Sequence, residues 1–142
     1  MILDTAYLLP LARIAIDTDL LGAVAEGRTD LKIEEVGINL ISIFELQAIA
    51  AKLMIPVKFT VKAVDAILTA FRVKPFHDAA IIDASYELRK IIPDYIDCVI
   101  VATAVVSKED LATEDSLILA QTKALRKEHG IKVMSFRGLV NR

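Results

Sequence analysis

At 142 residues, 55% of them hydrophobic and 25% charged, the chain is long enough for one well-developed core and too short for two ordinary domains, and its composition excludes a disordered chain. A formal net charge of −2 supplies no global attraction to nucleic acid or to an anionic membrane, so any basic binding surface must be local. The single cysteine, Cys98, excludes an intramolecular disulfide and a cysteine-based zinc knot; no stretch reaches the roughly 18 uninterrupted apolar residues of a membrane span and no basic leader precedes Asp4, so a soluble cytoplasmic protein is expected.

In chain order, "MIL" is a short apolar strand ending at Asp4. The following "TAYLLPLARIAI" has helix-compatible apolar spacing, and Pro10 either kinks that helix or begins a new one. "TDLLGAVAEG" predicts a second helix with Thr18 or Asp19 at its cap and Gly27 at its end. "EEVGINLI" predicts a strand leading into "SIFELQAIAAKLM", where Ser42 and Glu45 have capping-box spacing and the helical pattern stops before Pro56. "TVKAVDAILTAF" repeats the arrangement, with Thr60 as cap and Val61, Val64, Ile67, Leu68 and Phe71 at apolar positions.

"RVKPF" is a short strand or connector, and "HDAAIIDASYELRKII" predicts a helix capped by Asp78. Pro93 separates it from "DYIDCVIVATAVVSK". There Val99 to Val101 alone would pass for a strand, but the alanines and the overall length predict a buried helix. "LAT" is a further short strand, "DSLILAQTKALRKEHG" a helix ending at Gly130 with basic residues in its last turns, and "IKVMSF" a closing strand.

Short strands alternating with helices predict an α/β domain with a mainly parallel sheet, because parallel strands need crossover connections. In such sheets, sites gather at the carboxyl ends of the strands. Asp4, Glu45, Asp97 and Asp115 all fall at strand ends or helix starts. Each also has a structural reading. Glu45 closes a capping box with Ser42, Asp94 and Asp97 serve as cap and first-turn dipole partner, Asp115 or Ser116 caps the next helix, and Asp4 caps a turn or helix.

The order of "ILDTAYLL", "SIFELQAIA", "DCVIVATAV" and "LATEDSLI" resembles the PIN-domain ribonucleases, particularly the compact VapC-like toxins, over nearly the whole chain. The resemblance implies a single PIN-like domain over residues 1–142, three layers deep, with a central, mainly parallel sheet flanked by helices. It places the family's acidic residues on Asp4, Glu45, Asp97 and Asp115, and its small hydroxyl residue on Thr113. Three departures stand out. Ala6 occupies a position that is often Ser or Asn, so a polar support for the site is either missing or supplied by Thr5. Glu114 adds a second acid beside Asp115, and aliphatic Leu117 and Ile118 replace a frequent aromatic.

The implied activity is that of a divalent-metal-dependent endoribonuclease. Converging carboxylates repel one another, and Mg²⁺ or Mn²⁺ relieves that repulsion with oxygen ligands while keeping several waters. Asp4, Asp97 and Asp115 are the expected metal ligands, directly or through water, and Glu45 the residue that binds or orients the attacking water. His77 and His129 are isolated, and no G-x-x-x-x-G-K pattern occurs, which disfavours histidine-based and nucleotide-triphosphate chemistry. Arg13, Lys52 and Arg137 are candidate RNA contacts. The resemblance implies two further partners, a second copy of the chain as a homodimer and an antitoxin peptide or protein. A non-catalytic PIN-like scaffold and a metal-dependent phosphohydrolase of small substrates are the alternatives.

Overall fold

The structure, a computed structural model, describes residues 1–140. Five short strands, β1 (Ile2–Leu3), β2 (Gly37–Asn39), β3 (Arg72–Lys74), β4 (Leu111–Ala112) and β5 (Val133–Met134), form one sheet in the order β3-β2-β1-β4-β5. Every pairing is parallel, with Ile2 opposite Gly37 on one side and Leu111 on the other. The first strand of the chain is therefore the central one.

Helices cover both faces. Along β1, successive side chains point to opposite sides of the sheet, and each feeds a separate core. Ile2 joins Ile81, Leu88, Ile100, Leu125 and Val133, beneath α4 (Ala79–Leu88), α5 (Tyr95–Ser107) and α7 (Thr122–His129). Leu3 joins Tyr7, Leu20, Leu46 and Ile67, beneath the 3₁₀ helix Thr5–Ala12, α1 (Leu20–Ala25), α2 (Leu40–Lys52) and α3 (Val57–Ala70). This is the three-layer α/β arrangement expected from the sequence, with the sheet wholly parallel. Among the described residues no helix is long and apolar enough to cross a membrane.

Five local expectations are corrected. "TAYLLPLA" forms a 3₁₀ helix with Pro10 inside it, closed by Arg13 in the left-handed conformation at φ 63. The Ser42–Glu45 capping box does not form. Asn39 at the end of β2 accepts the Ile41 N–H at 2.8 Å and starts α2 earlier, so Ser42 and Glu45 lie inside the helix with their side chains turned to other partners. Pro56, not Thr60, precedes α3, its φ of −53 already suited to a helix start. The long helix expected after Asp115 is two, α6 (Ser116–Leu119) and α7: Gln121 leaves helical geometry and the Thr122 hydroxyl donates to the Leu119 carbonyl at 2.6 Å across the break. The closing strand is confined to β5, and Phe136 opens a short α8 (Phe136–Leu139).

Other expectations hold. Asp78 caps α4, accepting the Ala80 N–H at 3.0 Å, and Asp94 caps α5, accepting the Asp97 N–H at 3.1 Å. Val99 to Val101 are helical and buried, which the packing of α5 against the sheet and α4 requires.

Candidate active site

Asp4 leaves β1 at its carboxyl end, and its backbone N–H still reaches the Ala112 carbonyl at 3.0 Å across the sheet. Both side-chain oxygens are engaged: Oδ1 accepts the Thr5 N–H at 2.7 Å and Oδ2 the Thr113 hydroxyl at 2.6 Å. The same Thr113 hydroxyl accepts the Asp115 N–H at 3.0 Å, so one side chain ties Asp4 to the turn that carries Asp115. Asp115 caps α6 through Oδ1, which accepts the Leu117 and Ile118 amides at 2.9 and 3.0 Å.

Glu45 is half-buried on α2, and its Oε1 accepts the Thr5 hydroxyl at 2.6 Å; that hydroxyl also lies 3.0 Å from Ser42 Oγ. Thr5 thus supplies the polar support that Ala6 cannot. Glu114 points elsewhere. Its carboxylate accepts the Tyr7 hydroxyl and, at 2.6 Å, the Phe136 N–H, which pins the β4–α6 turn against the 3₁₀ helix and α8. The rivalry between Glu114 and Asp115 is therefore resolved by the turn, with Asp115 on the side of Asp4.

The acids share one electrostatic field. Burial raises Asp97 to about 7, helped in decreasing order by Asp115, Asp4, Asp94 and Glu45. Burial likewise raises Asp4, against the lowering hydrogen bonds from Thr113 and Thr5, and Asp115 raises it further. Glu45 is raised by burial, opposed by the Thr5 hydroxyl and reinforced by Asp4 and Asp94. Asp97 thus lies in the field of the other three sequence-predicted acids and of Asp94, which the sequence reading had as a cap only. Among the described residues no cation figures in these influences. The other end of the sheet contrasts with this: Arg72 pairs with Glu109 at 2.6 Å and, with the Met1 ammonium, lowers that carboxyl to about 2. Glu109 and Met1 line a separate cleft of about 520 Å³ at the amino ends of β1 and β4, away from the acids.

Among the described residues no three Asp, Glu, His or Cys side chains are already arranged to ligate one ion. His77 is exposed with its ring edge-to-face on Phe76 at 5.4 Å, and His129 lies in the last turn of α7. Arg13, Lys52 and Arg137 are exposed, and Arg13 sits 4.1 Å over the Phe59 ring.

The PIN domain family model matches residues 1–125. The chain belongs to the PIN domain family. Members are in general nucleases, and those nucleases use divalent metal ions. Three solved structures resemble this PIN domain over nearly its full length. One is a toxin–antitoxin complex from Klebsiella pneumoniae (TM-score 0.62, 20% identity, covering 95% of this chain and 96% of that one). The second is FitAcB from Neisseria gonorrhoeae (0.66, 21%, 97% and 99%). The third is VapBC2 from Rickettsia felis bound to a DNA fragment from its promoter (0.61, 18%, 94% and 96%). At these identities the likeness establishes the fold. Comparison with curated proteins returns no match.

Proposed function

We propose that this PIN domain is a divalent-metal-dependent endoribonuclease, the toxin of a VapBC-type toxin–antitoxin pair. The observation that carries the reading is the set of mutually repelling carboxylates at the carboxyl end of β1, with no cation, among the described residues, in the groups that perturb them. A purely structural cluster would gain by including a lysine or arginine, as Glu109 does at the other end of the sheet. The donors are all oxygens, which suits Mg²⁺ or Mn²⁺, ions that readily keep several waters.

Asp4, Asp97 and Asp115 would hold the ion, and when bound it would supply water activation and stabilisation of the charge developing on phosphorus. The chain's own residues do the rest. Thr113 and the Thr5 amide fix both oxygens of Asp4, so its carboxylate is presented in one orientation. Asp115 spends Oδ1 on the α6 amides and retains Oδ2 for the site. Glu45, held by Thr5 and shifted toward neutrality by burial and, less, by Asp4 and Asp94, is suited to orient an attacking water and take its proton. An antitoxin as partner is supported by the three structural neighbours, of which one is described as a toxin–antitoxin complex. A second copy of the chain is supported by the exposed side chains of Phe44, Met54, Val57 and Leu68.

The scaffold alternative draws on the capping roles of Asp4, Asp94 and Asp115. Asp97 is where the two readings differ most: a scaffold uses it only as a first-turn acid of α5, whereas burial and the acids around it raise its carboxyl to about 7, a charge that a bound cation would stabilise. End-group analysis of cleaved RNA tests the proposal. In-line attack by water leaves a 5′-phosphate and a 3′-hydroxyl, stops on chelation, and persists when the 2′-hydroxyl at the cut is replaced by hydrogen. Cyclic phosphate ends formed equally well in EDTA would refute it, and cleavage only of small phosphoesters would favour the phosphohydrolase.

A further inference from the structure

Tyr86 near the end of α4, Arg89 just beyond it and Tyr95 at the start of α5 line a surface depression of about 390 Å³. That is within the range of small-ligand clefts, roughly 300–1,000 Å³. We propose that this depression is a stacking subsite for one unpaired base of a single-stranded RNA whose backbone crosses the acidic cluster. The proposal rests on the nuclease reading above and assigns it a substrate contact that the acids themselves do not make.

The tyrosines are not core residues. The buried stripe of α4 is Ile81, Ser85 and Leu88, whereas Tyr86 is 70% exposed and Tyr95 41%. Their rings meet edge-to-face, centroids 5.9 Å apart and planes at 85°, which leaves ring faces uncovered that a parallel stack would bury. Arg89 gives one N–H to the Pro93 carbonyl, which holds its side chain along the α4–α5 corner and leaves the remaining donors of the guanidinium fork for a phosphate. Aromatic faces with a planar cation at their side are the groups by which proteins hold splayed-out bases.

Position and charge favour RNA over other occupants. Tyr95 lies between Asp94 and Asp97 in sequence, and both of those acids belong to the field of the cluster. A chain with net charge −2, approaching phosphate with several carboxylates, needs affinity that does not depend on counterion release. Base stacking provides it and tolerates any base.

The test titrates protein into single-stranded RNA carrying 2-aminopurine at each position in turn, in EDTA so that nothing is cut. Quenching is expected at one position at a fixed offset from the site later cut in Mn²⁺. Tyr86→Leu combined with Tyr95→Leu, shown folded by circular dichroism, should abolish the quenching and weaken binding by about 10- to 100-fold. Tyr95→Phe should retain both. In Mn²⁺ the double variant should raise KM by the same factor with kcat within about twofold. Arg89→Ala should flatten the dependence of log affinity on log salt by about 0.7. Absence of quenching at every position in the wild-type protein, or quenching unchanged in the double variant, overturns the proposal. So does a double variant that binds RNA normally but no longer self-associates, which would make the corner a contact between copies. A wild-type protein that quenches in EDTA yet never cuts RNA in Mn²⁺ would refute the nuclease reading and leave the subsite standing.

Discussion

Replacing Asp97 by Asn should stabilise the metal-free protein while removing its response to metal. The folded carboxyl is pushed up to about 7 from an ordinary 3.8, so between those values the folded state holds a proton that the unfolded chain has released. Stability of the metal-free protein therefore falls as pH rises through that window and levels off above about pH 7. The full shift of about 3 units would correspond to about 4 kcal/mol. Asp97 is only partly buried, and solvent screening reduces that to about 1–2 kcal/mol. Asn keeps the shape without the charge, so at pH 8 in EDTA the variant should melt about 3–6 °C above wild type, at roughly 3 °C per kcal/mol for a chain of this size. At pH 4, where the wild-type carboxyl is protonated, the two should nearly coincide. Melting followed by circular dichroism in EDTA across pH 4–8 measures both quantities. A variant that melts below wild type at pH 8 would refute the picture of uncompensated charge.

Mn²⁺ at about 100 times its Kd should stabilise the wild-type protein by about 2.7 kcal/mol, or about 8 °C, and Asp4→Asn should remove most of that shift in the same melting assay. Glu45→Gln retains an oxygen acceptor for the Thr5 hydroxyl, so it should fold normally and melt within a few degrees of wild type, while RNA cleavage on a denaturing gel drops roughly 10²–10⁴-fold. Glu109 behaves in the opposite sense to Asp97. Its folded value is lowered to about 2, so its contribution is present above about pH 4.5 and lost as pH falls toward 2. Glu109→Gln should cost about 1–2 kcal/mol at pH 7, converge with wild type near pH 2 in denaturant titrations, and leave RNA cleavage unchanged.

The sheet and the order of the acids were legible in the sequence because both follow from local pattern: short apolar runs, turn residues and helix starts. Asp97 was legible for the same reason, as a charge leading directly into the buried face of α5. What was hidden depends on contacts between distant segments. Ser42 and Glu45 have the spacing of a capping box, yet that spacing also occurs inside a helix already started by Asn39, and their actual partner, Thr5, lies 40 residues from Glu45. Asp94 read as a cap, and is one, but its second effect on Glu45 and Asp97 requires α2 and α5 to meet at the same sheet edge. Glu114 and Asp115 are adjacent, and only the turn anchored by Tyr7 and Phe136 separates their roles. The break before Thr122 is spanned by a single side-chain hydrogen bond that no periodicity reveals.

The placement of β1 has a consequence for synthesis. It is the earliest strand to leave the ribosome, but it pairs with β4 through Ile2–Leu111 and Leu3–Ala112, and Asp4 is oriented by Thr113, 109 residues later. At about 5–20 residues per second the amino-terminal strand waits many seconds for its second neighbour. Until residue 115 has emerged, the four acids cannot be gathered, so a nascent or truncated chain holds the parts of the cluster without the cluster. On this basis a chain interrupted before residue 115 is inert, because the side chains that orient Asp4 and present Asp115 are not yet in place.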